Sequence, residues 1–303
     1  MPKPAQFNPK PGVAEMIAPG LRRILAPNPS PMTFRGTNTY LLGTREIAVI
    51  DPGPPDQAHL TAILDALEAH QRISHIFVTH SHIDHSPLAM VLAQLTDTKV
   101  HGFGPSKAGR SPVMQSLSDL GGGEGIDETF MPDVTLVHGM TVHGAGWSLK
   151  ALHTPGHMGN HLCYAWPESS ALFSGDLVMG WATSMVSPPD GDLTAFMASL
   201  DLLASRSEDQ VYYPGHGAPI KDPAHRVGEL AAHRKSREGQ ILDALQKHPG
   251  YVPDLTAAIY TDVDPALLPA AERNVLAHLI DLAARNVVKA DGNVARDARF
   301  SLA

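Results

Sequence analysis

Hydrophobic and polar positions recur along this chain with two periods, and the switches between them mark out its elements. Residues 21–25, 39–42 and 46–50 are short runs of large apolar and β-branched side chains bounded by Pro, Asn and Gly, which predicts strands. Between Asp56 and His70 the apolar residues fall at Leu60, Ile63, Leu64 and Leu67, the spacing of a helix with one buried face. The apolar run 73–78 predicts a buried strand, 86–95 a helix and 99–103 another strand. This alternation of β and α predicts an α/β layered fold. The connection from Gly104 to Met131 is Gly-rich and contains Gly121-Gly122-Gly123-Glu124-Gly125. It lacks the Lys-Ser/Thr pattern of a phosphate cradle and reads as a flexible insertion.

Strands are predicted again at 134–137, 147–152, 161–165, 171–173 and 210–213, with a helix at 193–205 before the last. From Ala218 onward the pattern is mainly helical, over 224–247 and 269–284. There Asp291-Gly292 sits between the extended segments 286–290 and 293–300, a hairpin signal. Three segments follow from this. Residues 1–20, with Pro2, Pro4, Pro9, Pro11 and Pro19, predict a poorly ordered or surface-draped lead-in; 21–217 a catalytic domain; and 218–303 a small helical, winged-helix-like domain.

Composition narrows the function classes. With 303 residues, 43% hydrophobic and 18% charged, the chain has the make-up of an ordinary soluble globular protein. A net charge of −8 argues against a broad electrostatic grip on nucleic acid. Residues 218–303 hold 11 Lys and Arg against 11 Asp and Glu, without the excess of positive charge a phosphate-gripping module carries. The single Cys163 excludes an intramolecular disulfide and reads as a small buried hydrophobe. Neither a secretory apolar core nor a run approaching about 20 apolar residues is present, so the expectation is a cytoplasmic protein that does not enter a membrane.

The candidate chemistry lies where the 73–78 strand ends, in Thr79-His80-Ser81-His82-Ile83-Asp84-His85. Imidazoles and carboxylates are good ligands for Zn²⁺ or Fe²⁺, and the carboxyl ends of strands are where open α/β layers bind ligands. His80 and His82 are expected to face one position and Asp84 and His85 a second, enough for two neighbouring ions. A His-rich surface loop is the plainer reading of the same stretch. His157 in Thr154-Pro155-Gly156-His157, Asp176 in Ser174-Gly175-Asp176 and His216 in Pro214-Gly215-His216-Gly217 each stand beside Gly at a strand-to-loop boundary. Asp51, ending the 46–50 strand, is placed where carboxylates orient metal-binding histidines. His75, His101, His138, His143 and His153 fall outside these motifs and read as surface or hydrogen-bonded groups.

On these motifs the chain resembles the metallo-β-lactamase superfamily over about residues 20–217. The resemblance implies a four-layered αββα sandwich, with His80, His82 and His157 around one metal, Asp84, His85 and His216 around the other, and Asp176 bridging. Zinc β-lactamases replace a bridging carboxylate by Cys or Ser, so Asp176 brings the chain closer to glyoxalase-II-type thioesterases and to lactamase-β-like endoribonucleases. The stretches 27–33, 35–40 and 233–238 with Gln240-Ile241-Leu242 favour the second group, whose members are similar in carrying a winged-helix-like carboxyl-terminal region. The implied activity is a dinuclear metal-dependent hydrolase. Two Zn²⁺, with Fe or Mn as substitutes, share a hydroxide that attacks an ester, thioester or phosphodiester. Asp84 is also expected to accept or orient a proton.

Asn38, His161, Trp181, Arg234 and Arg237 are the candidate substrate contacts. The expected substrates are a small ester or thioester, or single-stranded RNA, and assembly as a homodimer is compatible with the pattern. Two alternatives use the same residues differently. A mononuclear iron enzyme resembling persulfide dioxygenases needs only His80, His82 and His157 or an equivalent facial set. A non-enzymatic winged-helix regulator would treat the metal as structural, although structural zinc sites are usually closed and seven ligands for two ions leave room for water.

Overall fold

Strands β1 (Glu15–Ala18), β2 (Leu21–Leu25), β3 (Asn38–Leu42), β4 (Glu46–Ile50), β5 (Arg72–Phe77), β6 (Val100–Gly102) and β7 (Val134–Thr135) line up in chain order as one sheet. The structure, a computed structural model, describes residues 7–117, 120, 125–262 and 264–303. Most of the predicted Gly-rich insertion's core, 121–124, and the first residues of the lead-in, 1–6, lie outside the described residues. Pairing is antiparallel from β1 to β4 and parallel from β4 to β7. Parallel neighbours need long crossovers, which α1 (Gln57–Asp65) and α2 (Pro87–Thr96) supply. Asp56 caps α1 by accepting from the His59 amide at 2.8 Å, and Pro87 opens α2 at the position where its missing N–H costs nothing.

After the short α3 (Pro112–Ser116) comes a second sheet of five strands, ordered β12-β11-β10-β9-β8. It comprises β8 (Thr141–Gly144), β9 (Trp147–His153), β10 (Leu162–Trp166), β11 (Ala171–Gly175) and β12 (Val211–Pro214), with α4 (Leu193–Ala204) crossing from β11 to its parallel neighbour β12. The period-2 alternation of the strands sorts the side chains into layers. Tyr40, Leu42, Ala48, Ile50 and Phe77 meet Leu149, Ala151, Tyr164, Phe173 and Tyr213 between the sheets. Leu41, Ile47, Val49 and Ile76 point the other way, onto Leu60 and Ile63 of α1 and Leu88 and Leu92 of α2. On the far face of the second sheet, Leu152, Cys163, Leu172 and Tyr212 pack against Phe196 and Leu200 of α4 and Val227 and Leu230 of α5 (Pro223–Lys247). The order of layers is therefore α, β, β, α.

The remaining chain has its own core, with Ile241, Leu245, Val252, Leu255, Val275, Leu279 and Phe300 in one cluster. After α5 come β13 (Gly250–Tyr251), α6 (Val252–Ile259), α7 (Leu268–Ala284), β14 (Val288–Ala290) and β15 (Arg299–Leu302), with the three strands in the order β13-β15-β14. Helix, strand, two helices and two strands is the winged-helix order.

Two expectations change. Residues 15–18 of the predicted lead-in are a strand, β1, held antiparallel to β2 with Glu15 paired to Arg23. The hairpin near Asp291-Gly292 has no two-residue turn. Ala290 pairs with Phe300, so residues 291–298 form the connection and Asp291 only opens it. No described helix is long and apolar enough to cross a membrane.

Candidate metal centre

Asp51, the first residue after β4, has a left-handed backbone with φ of 51°, uncommon for any residue but Gly. The strain is held by what surrounds it. The Asp51 amide donates to the Phe77 carbonyl at 2.9 Å. Its carboxylate accepts from the Thr79 amide at 2.7 Å, the Thr79 hydroxyl at 2.8 Å and His85 Nδ1 at 3.0 Å. One carboxylate thus pins the start and the end of the 79–85 loop where β5 delivers it.

Four of the imidazoles around this loop, those of His80, His85, His157 and His216, have Nδ1 engaged by a partner behind the ring. Thr79 Oγ1 donates to Asp51, so it accepts from His80 Nδ1 at 3.0 Å. His157 Nδ1 donates to the Met185 carbonyl at 2.8 Å, and His216 Nδ1 to the Gly36 carbonyl at 3.1 Å. With Asp51 accepting from His85, four rings turn Nε2 toward the centre, as ion-binding histidines do when their other nitrogen is engaged.

The donors fall into two overlapping sets. His80 Nε2 lies 2.9 Å from His82 Nδ1, which lies 3.0 Å from His157 Nε2. Asp84 Oδ2 is 3.3 Å from His85 Nε2 and 3.1 Å from His216 Nε2. Asp176 faces both: its carboxylate is 3.7 Å from His157 Nε2, 3.3 Å from His216 Nε2 and 3.6 Å from His85 Nε2. The trios His80-His82-His157, Asp84-His85-His216 and His80-His85-Asp176 each gather their donor atoms within 4.8 Å. All seven residues predicted as ligands therefore meet at one place.

Electrostatics divides the cluster. Burial keeps His80 well below its ordinary pKa, lowers His157 and takes His82 down to about 3, so these rings are neutral lone-pair donors. In the other half burial also opposes charge, yet the carboxylates outweigh it. Asp84, Asp176 and Asp51 hold His85 well above its usual value, and Asp176 with Asp84 raises His216 to about 10. Reciprocally, burial works against ionisation of Asp84 and Asp176, but the neighbouring His85 and His216 hold both well below the carboxylate range.

The residues fit divalent cations. Two buried atoms aimed into the centre, His85 Nε2 and Asp176 Oδ1, have no hydrogen-bond partner among the described residues, a costly arrangement for a purely structural polar cluster. The donor set of imidazoles and carboxylates is that of zinc, iron or manganese rather than of a hard all-oxygen cation. Gly215 makes the approach feasible: a Cβ there would stand 2.4 Å from Asp176 Oδ1 and 2.6 Å from His85 Cε1. Gly175, at φ 48°, likewise leaves room for His161 Nε2, 2.6 Å from where its Cβ would be.

Four of the five expected substrate contacts are placed otherwise. His161 is fully buried; its Nε2 accepts from the Asp176 amide at 3.2 Å while Nδ1 bonds Thr154 Oγ1 at 3.0 Å, so it holds Asp176 from behind. Asn38 is also fully buried and donates to the Pro214 and Gly217 carbonyls at 3.0 and 2.9 Å, tying β3 to the His216 loop. Arg234 is buried between the two domains, and Arg237 lies 4.1 Å over the Tyr260 ring inside the carboxyl-terminal domain. Trp181 is the expected contact that lies half-buried beside the His216 loop, stacked on Phe34 at 5.0 Å and touching Gly217. A contact the sequence did not suggest is Thr37, whose hydroxyl donates to Asp84 Oδ2 at 3.0 Å and is itself held by Asn28. They are 47 residues apart, and no local pattern links them. His75, His101 and His153 lie outside the cluster; His153 donates to the Gly159 carbonyl at 2.9 Å.

Comparison with known proteins agrees with this geometry. The metallo-beta-lactamase superfamily matches residues 32–216, and the beta-lactamase associated winged helix domain matches 252–297. A beta-lactamase-like protein 2 homolog of Caenorhabditis elegans is 31% identical over 280 residues, covering 91% of this chain and 88% of that protein. An atrochrysone carboxyl ACP thioesterase of Cryptosporiopsis is 34% identical over 236 residues, 77% of this chain but 65% of its own length. A beta-lactamase domain protein from Burkholderia ambifaria shares the fold at a TM-score of 0.81 and 21% identity, covering 99% of this chain and 96% of that one. Because the superfamily match takes in well over half of the sequence and includes every residue of the cluster, the chain belongs to the metallo-beta-lactamase superfamily.

Proposed function

We propose that this protein is a dinuclear metal-dependent hydrolase whose substrates are acyl thioesters. The observation that carries the reading is the pair of donor trios meeting on Asp176. His80, His82 and His157 would hold one divalent cation and Asp84, His85 and His216 the other, with Asp176 between; zinc suits the donors, and iron or manganese would serve. When bound, such a pair supplies Lewis acidity to the scissile carbonyl and lowers the pKa of water.

The chain's own residues do the rest. Thr79, Met185, Asp51 and Gly36 engage Nδ1 of four rings before substrate arrives, so that Nε2 of each is directed at the centre; on His85 and His216 the proton that the carboxylates favour there would give way on cation binding. His80, His85 and His216 close the inner side against water, while the Asp84 side chain, 19% exposed, opens toward solvent. Asp84, steadied by Thr37, is placed to accept or orient the reacting proton.

The thioester reading rests on the surroundings of that opening. Ile83, between His82 and Asp84, is 49% exposed, and the Phe34–Trp181 stack stands beside His216, which suits an apolar acyl group. A net charge of −8 disfavours a polyanion, and the thioesterase-named relative points the same way. A one-ion iron site would leave Asp84, His85 and His216 converged to no purpose. A DNA-binding role is opposed by α7, the second helix of the helix pair that would enter a groove, because Val275 to Ile280 are buried without interruption.

Metal-loaded protein assayed on a panel of acyl thioesters and on single-stranded RNA tests the proposal. Thioester hydrolysis that is abolished by chelation is expected. Cleavage of RNA without thioester turnover would overturn the substrate class, and activity on neither would overturn the hydrolase.

A further inference from the structure

The helix that a winged-helix module uses for nucleic acid here faces the catalytic domain, and two of its side chains, with Arg234 of α5, converge on one segment. Arg234 of α5 donates from Nη2 to the Ser184 carbonyl and from Nη1 to Asn274 Oδ1 of α7 at 2.9 Å. The same Asn274 Oδ1 accepts from the Val186 amide at 3.3 Å, while its Nδ2 donates to the Ala270 carbonyl at 3.0 Å. Arg273 Nη1 donates to the Pro188 carbonyl at 3.3 Å. Residues 184 and 186 are thus gripped from the carboxyl-terminal domain on both sides of Met185, whose carbonyl accepts from His157 Nδ1 at 2.8 Å.

Arg234 is an expensive way to anchor a loop. It is 4% exposed, and among the described residues it makes no ion pair; its guanidinium lies 5.1 Å over the Phe196 ring and otherwise bonds only neutral oxygens. Burial draws its pKa down to about 10, so the charge persists at neutral pH without an acid beside it. An apolar side chain of similar length would fill such a position without the desolvation cost. Holding a carbonyl in one orientation is what the planar fork of an arginine adds.

We infer that Arg234 and Asn274 are positioning residues for the metal centre: through residues 184–186 they fix the Met185 carbonyl, and thereby the tautomer and direction of His157. This rests on the reading of His157 as a cation ligand. The carboxyl-terminal domain is then a working part of the first cation site, with α7 committed to the loop instead of to a nucleic-acid groove. Groups that hold a ligating histidine from behind typically change metal affinity about 10- to 100-fold when removed.

The test measures zinc binding to the full-length protein by competition with a chromophoric chelator, together with ¹⁵N chemical shifts of the His157 ring. Arg234→Met and Asn274→Ala are expected to weaken one of the two zinc ions by roughly 10- to 100-fold, to leave the other near its wild-type affinity, and to mix the His157 tautomers. Asn274→Asp keeps an oxygen for Arg234 and the Val186 amide but loses the donation to the Ala270 carbonyl, and is expected to retain more zinc affinity than Asn274→Ala. Thr194→Val serves as the control, because Thr194 bonds Asp281 across the same domain interface away from the 184–186 segment. Two ions bound at wild-type affinity in both Arg234→Met and Asn274→Ala, or an equal loss in Thr194→Val, would overturn the inference. Failure of the wild-type protein to bind zinc at all would instead overturn the metal reading on which it stands.

Discussion

Replacing Asp51 by Asn changes one atom of a group that does not face the proposed cation positions, yet it is expected to weaken one half of the centre. The carboxylate accepts three hydrogen bonds, from the Thr79 amide at 2.7 Å, the Thr79 hydroxyl at 2.8 Å and His85 Nδ1 at 3.0 Å. Asn can keep Oδ1 on the Thr79 amide, which leaves its NH₂ opposite two donors. Hydrogen bonds to a charged group are each worth about 1.5–3 kcal/mol, so losing two costs roughly 3–6 kcal/mol before relaxation. The cheap relaxation is for His85 to move its proton to Nε2 and accept at Nδ1. That proton then stands where a cation would bind, 3.3 Å from Asp84 and 3.6 Å from Asp176. A 10- to 100-fold loss in affinity, about 1.4–2.7 kcal/mol, is expected for the ion at Asp84, His85 and His216, with the other ion less affected. Chelator competition with metal counting reads this directly. An Asp51→Asn protein that binds two ions as tightly as wild type would refute the claim that His85 is oriented from behind.

Thr37→Val releases Asp84 Oδ2 from its 3.0 Å hydrogen bond and is expected to lower kcat/KM on the best thioester about tenfold, with both ions retained; unchanged kinetics would show that Asp84 needs no such support. Gly215→Ala puts a Cβ 2.4 Å from Asp176 Oδ1, so elemental analysis of the purified variant should find fewer than two ions, and a full complement would contradict the packing argument. His278 is buried in the carboxyl-terminal domain with neither ring nitrogen bonded among the described residues; burial, reinforced by Arg234, His233, Arg237 and Arg285, takes its pKa to about 3. Between about 3 and 6.5 the unfolded chain therefore binds the proton and the folded one does not, so stability falls as pH drops through this window, by about 1.4 kcal/mol per unit. His278→Leu should remove that slope in urea melts at pH 7.5 and 5.0, and an unaltered acid sensitivity would count against the assignment.

The apolar run before Thr79 and the polar cluster after it were readable because both lie within a dozen residues, and a strand's period shows over that span. The same holds for His157, Asp176 and His216, each beside a Gly at the end of an apolar strand. What a linear pattern does not carry is accessibility. Asn38, His161 and Arg234 have the right functional groups for touching substrate, but their partners are the Pro214 and Gly217 carbonyls, the Asp176 amide and the Ser184 carbonyl, all set by packing across 15 to 179 residues. β1 escaped notice because its strand sits inside a Pro-rich stretch and is recruited by β2. The Thr37–Asp84 bond and the grip of Asn274 on Val186 join distant loops in the same way.

Two cations, one on either side of Asp176, are the arrangement that the donor trios predict. A crystal structure of the zinc-loaded protein with anomalous data at the zinc edge measures it most directly. Two peaks are predicted, one among His80 Nε2, His82 Nδ1 and His157 Nε2, the other among Asp84, His85 Nε2 and His216 Nε2, with Asp176 contacting both. A single peak at the first trio, or Asp176 turned away from both, would contradict the account.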